Sequence, residues 1–357
     1  MPQKKASQFV REEKAPSVRL WPESSRWLRR GLALTLSCGL LLTTTWAQEP
    51  SVSKISWQGL QAFRLSDGKV EAIVVPERSG RVMSFRRVGE KAIEWLWQAP
   101  EETLRGNGYK NWGGDKTFLG PQSDWQLFGK PGWPPDPSWD GPAHEATLTA
   151  DGHLRTRGAP SAGSQICLER EFWFEGGEFV VRQTFEKVGG EPRLHAIWDV
   201  TQIATPEAVF LPLNPASLYQ AGYYSYSAKL PPNANLETLS PSVLKIGPAP
   251  GASYKVGVDS PVAALLAVRG QEAFRVRAAL EKGPYPEGAE RAGFPVEFYN
   301  HADAGPAHYV ELELLSPLHL FRSTDRYSFT VRWTLHSFPV DVPTAESAEK
   351  LLREPLR

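Results

Sequence analysis

Tyr327-Ser328-Phe329-Thr330-Val331-Arg332-Trp333-Thr334-Leu335 alternates bulky apolar side chains with polar ones along its whole length. A period of two is what a β-strand shows when one face is buried and the other wet. Working back from it, β-branched and aromatic runs recur at 309–315, 296–299, 274–280, 261–268, 194–202, 179–185, 166–174, 81–87 and 70–75, separated by Gly, Pro and Asp. Gly176-Gly177 falls between two of these runs and reads as a hairpin turn. Helical spacing shows in one place, 344–353, where Ala345, Ala348, Leu351 and Leu352 recur among charges before Pro355. A chain so rich in strands must stack or close its sheets, so the expected class is all-β, a large antiparallel β-sandwich.

The start of the chain has a different character. Arg29 and Arg30 precede an apolar run of about 11 residues, 32–42, and Thr45 and Ala47 place small residues before Gln48. This is the layout of a cleavable signal peptide, with cleavage expected after Ala47. The run falls well short of the roughly 20 residues a membrane-spanning helix needs, so no permanent span is expected after removal. The expected organisation is a signal peptide with a long basic n-region over 1–47, one β domain over 48–342, and a short C-terminal helix or tail over 343–357. The mature protein would be periplasmic or secreted.

Removing 1–47 takes eight basic and three acidic residues from the 40 of each kind, leaving 32 and 37 and a net charge of −5. A mildly acidic domain lacks the electrostatic footprint of a nucleic-acid or anionic-lipid binder. One cysteine, Cys167, remains in that region, so no intrachain disulfide can form and stability must come from a core.

Residues 106–142 show no sustained periodicity and carry four Trp and six Pro. Long irregular segments in compact domains are usually functional or disordered, and this one is too aromatic for disorder. Trp112, Trp125, Trp133 and Trp139 offer flat apolar platforms, and Asn111, Asp115, Lys116, Gln122 and Asp136 offer polar partners, the two kinds of group a sugar site needs. Arg81, beside Gly80 in an early turn, could clasp hydroxyls or a carboxylate with its guanidinium.

Asn111-Trp112-Gly113-Gly114-Asp115-Lys116, followed by Gly120-Pro121-Gln122-Ser123-Asp124-Trp125 and Gly132-Trp133-Pro134-Pro135-Asp136, resembles the domain-of-unknown-function family 4380. Val75-Pro76-Glu77-Arg78-Ser79-Gly80-Arg81-Val82 is similar to the strand and turn that opens galactose-mutarotase-like domains, and 310–317 to their C-terminal strand. The resemblance runs from about residue 55 to 340 and implies a supersandwich fold related to aldose 1-epimerases, with carbohydrate as ligand. Function belongs to sites rather than folds, so catalysis needs its own argument.

Mutarotation needs a base for the anomeric hydroxyl proton and an acid for the ring oxygen, with tuned pKa values. In mutarotases the acid is a His and the base a Glu on a late strand. The resemblance therefore points to His195 as acid, in a strand where alternation puts His195, Ile197 and Asp199 on one face and Ala196, Trp198 and Val200 on the other. It points to Glu313 or Glu311 as base, which share a face opposite Val310, Leu312 and Leu314; Glu297 is the alternative. The longer histidine motif of true aldose epimerases is absent. No spacing of His and carboxylates suggests a metal site, and no cofactor fingerprint occurs, so neither metal nor cofactor is expected. Three functions stay open: a carbohydrate-binding protein, an aldose 1-epimerase-like isomerase, and a non-catalytic structural or assembly component of the cell envelope.

Overall fold

The computed structural model describes residues 49–128, 132–286, 293–303, 305–338 and 343–356. The expected signal segment lies outside the described residues. Two large antiparallel sheets face each other. The first runs in the order Ser51–Trp57, Leu60–Ser66, Val70–Val75, Arg81–Arg87, Asp115–Gly120, Arg193–Ala204, Tyr309–Leu315, Val296–Asn300, Tyr254–Val258 and Tyr224–Ser225, with His319–Phe321 paired to the start of Arg193–Ala204. The second runs Asn235–Ser240, Val243–Gly247, Ala208–Pro212, Ala263–Arg269, Glu272–Ala278, Arg326–Ser337, Glu178–Lys187, Ile166–Glu175, Leu154–Arg157 and Glu145–Leu148. The all-β sandwich expected from the alternation is the architecture found.

Arg326–Ser337 shows why. Phe329, Val331 and Trp333 are buried while Ser328, Thr330 and Arg332 look outward or lie half-buried. Its core side meets the other sheet at an aromatic cluster: Phe85 of the first sheet lies 5.1–5.7 Å, ring centre to ring centre, from Phe179, Phe274 and Trp333 of the second. Fully burying one such ring contributes roughly 1.5–3 kcal/mol, so this cluster is a principal fastening between the sheets. Gly176 and Gly177 take positive φ of 59° and 80° and close the hairpin between Glu175 and Glu178, as a two-residue turn of that hand requires.

Ala345–Arg353 forms the helix. Thr344 caps it by accepting from the Ser347 N–H at 3.2 Å, Ala348 and Leu352 bury against the second sheet beside Phe210 and Leu266, and Arg275 donates to the Leu351 carbonyl at 2.8 Å. Among the described residues no helix is long and apolar enough to cross a membrane.

The segment 106–142 is less irregular than its sequence suggests. Asp115–Gly120 is a strand of the first sheet with all six residues buried, and it pairs with Arg193–Ala204. A strand buried on both faces loses its alternation, which hid it in the sequence. The preceding glycine pair is dictated by space: a Cβ on Gly113 would stand 2.1 Å from the Trp97 carbonyl oxygen, and one on Gly114 2.3 Å from that of Val82.

Candidate functional site on the outer face of the first sheet

Register decides which side chains meet. Val200 pairs with Glu313 and Gln202 with Glu311; Glu297 pairs with Glu313 and Tyr299 with Glu311; Lys255 pairs with Tyr299. Directly paired residues point to the same side, so Lys255, Glu297, Tyr299, Glu311, Glu313, Trp198 and Gln202 share the outer face. Trp198 pairs with Phe118 and Val200 with Lys116, which adds those two. The loop leading to Gly113 crosses this face, held by Trp97 N–H donating to the Gln202 carbonyl at 2.9 Å.

Over this floor lies a cleft of ≈ 570 Å³, within the usual size range of small-ligand sites. Trp97, Tyr109, Phe118, Trp133, Trp198, Tyr299 and Tyr309 give it aromatic walls, and Asn111, Gln122, Lys255, His301, Asp303, Glu311 and Glu313 its polar groups. Trp133 is 53% exposed despite its size. Its ring stands edge-on to Tyr109 at 5.0 Å and to Phe118 at 6.0 Å, a flat plate at the cleft wall.

The electrostatic centre is one ammonium between two carboxylates. Lys255 Nζ lies 2.6 Å from Glu297 Oε2 and 2.8 Å from Glu313 Oε2, and 4.4 Å from the centre of the Trp198 ring. Trp198 Nε1 donates to Glu313 Oε2 at 2.6 Å, and the Tyr226 hydroxyl donates to Glu297 Oε1. Burial works against the Lys255 ammonium, but Glu297 and Glu313 outweigh it and hold its pKa above the ordinary value. For Glu313 the balance falls the other way. Burial, aided by Glu297 and Glu311, overcomes Lys255 and pushes its pKa up to about 8.

The Glu313 proton has a defined place. Oε2 already accepts from Lys255 and Trp198, whereas Oε1 is buried with no hydrogen-bond partner. A protonated Glu313 therefore carries its hydrogen on Oε1. Two residues away, about 6.6 Å along the strand, Glu311 accepts from Gln202 Nε2 at 2.8 Å on Oε1, with Lys116 Nζ 3.9 Å from the same oxygen. Among the described residues no partner is found for its Oε2. Lys116 lies beneath Trp133 and Phe118, 3.3 Å from Asn111 Oδ1, and burial pushes its pKa down to about 8 against the pull of Glu311.

The structure gathers some of the sequence candidates and disperses others. Asn111, Gln122, Trp133, Glu311 and Glu313 line the cleft, with Lys116 and Glu297 directly behind them. His195 does not join them. It lies on the sandwich side of its strand, fully buried beside Phe128 and Phe321, and burial with Lys187 and Arg193 lowers its pKa to about 4. A histidine on the opposite face of the sheet from Glu313 cannot share a sugar ring with it, so the acid role drawn from the resemblance does not fit His195.

Asp115 also points into the sandwich, where it pairs with Arg170 and accepts from Thr201 Oγ1 at 3.0 Å. Arg81 is fully buried and grips Asp140 with Nη2 at 2.7 and 2.6 Å. Asp140 in turn accepts from the Tyr109 hydroxyl at 2.9 Å, so Arg81 anchors the aromatic loop rather than meeting a ligand. The Arg81 guanidinium stands 5.3 Å from the Trp112 ring, which packs toward Met83. Trp125 donates to the Leu119 carbonyl and Trp139 to that of Thr117, both at 2.8 Å, and both rings are core. Asp136 fastens a turn through Ser138 and Ser161 and faces a separate apolar cavity of ≈ 240 Å³.

Several cleft residues were not singled out in the sequence: Trp198, Lys255, Tyr299, His301, Asp303 and Tyr309. Four had a visible signal. In 254–258, Lys255 is a lone cation opposite Tyr254, Val256 and Val258, and Glu297, Tyr299 and His301 follow a period of two beside Tyr309, Glu311 and Glu313.

Among solved structures, a galactose mutarotase-like protein from Lactobacillus casei ATCC 334 superposes with a TM-score of 0.53 at 11% identity, covering 77% of this chain and all of that one. The fold is the galactose-mutarotase-like sandwich. A candidate aldose 1-epimerase from Escherichia coli K12 gives 0.50 at 11% identity, covering 81% of this chain and 100% of that one. A TPR-domain containing protein from Parabacteroides distasonis ATCC 8503 gives 0.51 at 14% identity over 84% of this chain, which spans half of that protein's length. No family model and no curated protein matches the chain. At these identities the likeness is one of fold, and the site must speak for itself.

Proposed function

We propose that the outer cleft is a carbohydrate site and that the chain is an exported carbohydrate-binding protein with aldose 1-epimerase-type activity. The observation that carries this reading is the cleft floor, where Glu311 and Glu313 share one face of their strand and Glu313 Oε1 has no hydrogen-bond partner among the described residues, flanked by the exposed ring of Trp133. A pyranose offers C–H faces to aromatic plates and hydroxyl donors to carboxylates, which is the complement of this surface.

The isomerase step follows from a carboxyl group whose proton affinity burial raises, Glu313, set on the same strand face as a second carboxyl group, Glu311. Glu313, protonated on Oε1, gives its proton to the ring oxygen while Glu311 takes the proton of the anomeric hydroxyl. The bond between the anomeric carbon and the ring oxygen breaks, and that carbon becomes the aldehyde carbon of the open chain. Rotation about the adjacent carbon–carbon bond presents its other face, and the two protons return as the ring closes.

Export is supported by the layout of residues 29–47, which lie outside the described residues, and N-terminal sequencing of the exported protein tests it: a start at Gln48 is expected, and retention of 1–47 contradicts it. Kinship with family 4380 is supported by the motifs at 111–116, 120–125 and 132–136. The site itself is tested by titrating wild type and Trp133→Ala with a panel of aldoses and following tryptophan fluorescence. Saturable quenching in wild type, weakened in the variant, is expected. A wild type that responds to no sugar overturns the reading and leaves a non-catalytic envelope component.

A further inference from the structure

We infer that the cleft selects its sugar by charge, favouring amino sugars over neutral ones and rejecting sugars that carry a phosphate or a carboxylate. The inference rests on the carbohydrate reading of the cleft. Among the described residues lining it, three carboxyl groups, Asp303, Glu311 and Glu313, stand against one lysine or arginine, Lys255. That ammonium is already spent on Glu297 and Glu313 and lies against the Trp198 ring.

Three further cations near the cleft have partners as well. Lys116 sits behind the floor with Asn111 and Glu311, the Arg81 guanidinium is locked to Asp140, and Lys110 donates to the carbonyls of Leu104 and Gly106. A phosphate or carboxylate group entering the cleft therefore meets no uncommitted lysine or arginine among the described lining residues, and it brings a charge of the same sign as Asp303 and Glu311. Placing a second anion beside Asp303 and Glu311 is costly.

An ammonium on the sugar reverses both terms. It brings three donors and a charge opposite to that of Asp303 and Glu311. Asp303 is placed to act at the mouth: its side chain is 60% exposed and one oxygen lies 3.1 Å from His301 Nε2. His301 stacks on Tyr309 at 4.4 Å, which fixes that contact against the cleft wall.

Calorimetric titration of the mature chain at neutral pH with glucosamine, glucose, glucuronate and glucose 6-phosphate, and with the corresponding galactose series, tests the inference. Glucosamine or galactosamine should bind about fivefold tighter than the parent sugar at low salt, the scale of one partly exposed ion pair. High salt should erase most of that advantage, and so should Asp303→Asn and Glu311→Gln combined. The anionic sugars should bind at least about tenfold more weakly than the parent, as like charges in an interface do. Anionic sugars that bind as tightly as the neutral ones, or amino sugars with no advantage, overturn the selectivity while the carbohydrate reading stands. Failure of every sugar to bind overturns both.

Discussion

The two faces of the strand Arg193–Ala204 bury polar groups to similar degrees and use them in opposite ways. On the sandwich side, Asp199 accepts from Gln183 Nε2 at 2.6 Å, Gln183 is itself bonded to Thr117, and Asp115 is shared by Arg170 and Thr201. Burial and the neighbouring Asp115 raise the Asp199 pKa well above the usual carboxylate range, so the seam carries a proton in place of a second charge. On the cleft side, Glu313 is equally buried, yet one oxygen has no partner, and Glu311 beside it is also half satisfied. The sandwich-side network is closed except at Arg170 Nε, which is buried without a partner, and such a network rigidifies a core. The unmatched Glu313 oxygen belongs to a residue that lines the cleft, the side from which a ligand would enter.

The sharpest way to break this contrast is through stability. Arg170→Met strands the Asp115 carboxylate in the core and should cost about 3–5 kcal/mol in urea unfolding. Glu313→Gln should leave the midpoint near that of wild type. A loss of several kcal/mol in Glu313→Gln would mean the cleft side is also structural scaffolding. Next in size, Trp133→Ala should weaken sugar binding about tenfold with little change in Tm, since a half-exposed plate contributes to a ligand more than to the fold; an unchanged affinity would place the sugar elsewhere.

Much of this was legible in the sequence. The alternation of 327–335 carried the fold class, and the spacing of Glu311 and Glu313 put both on one face opposite the buried Val310, Leu312 and Leu314. Alternation also set His195 on the face opposite Trp198. What it could not supply was which face of that strand overlooks the cleft, because that depends on its pairing with Tyr309–Leu315, more than a hundred residues away. Asp115 and Lys116 were similarly split by the strand they share: one turns into the core and the other toward the cleft. The glycine-rich motif before them reads as a ligand loop in sequence, yet Gly113 and Gly114 answer to the crowding of Trp97 and Val82.

Smaller effects separate the faces by pH. His195 has its pKa lowered to about 4, so its neutral form contributes stability that is present above about 6.5 and lost as pH falls through 4. His195→Phe should make the fall in Tm between those values shallower, though His144 and His336, also pushed to about 4 by burial, keep part of the slope. A steeper fall would contradict the core placement. Glu313, with its pKa raised to about 8, contributes stability present below about 4.5 and lost as pH rises through 8. Wild type should therefore lose Tm relative to Glu313→Gln as pH is raised from 5 to 9, and a constant difference would show that burial does not perturb the group.

The division of labour between the faces is tested most directly by anomer equilibration of freshly dissolved aldoses, followed by polarimetry in wild type, Glu313→Gln and His195→Asn. Wild type should exceed the buffer rate, Glu313→Gln should lose about 10²–10⁴-fold of the enhancement, and folded His195→Asn should keep most of it. Activity lost in His195→Asn and retained in Glu313→Gln would contradict the assignment of the chemistry to the outer cleft.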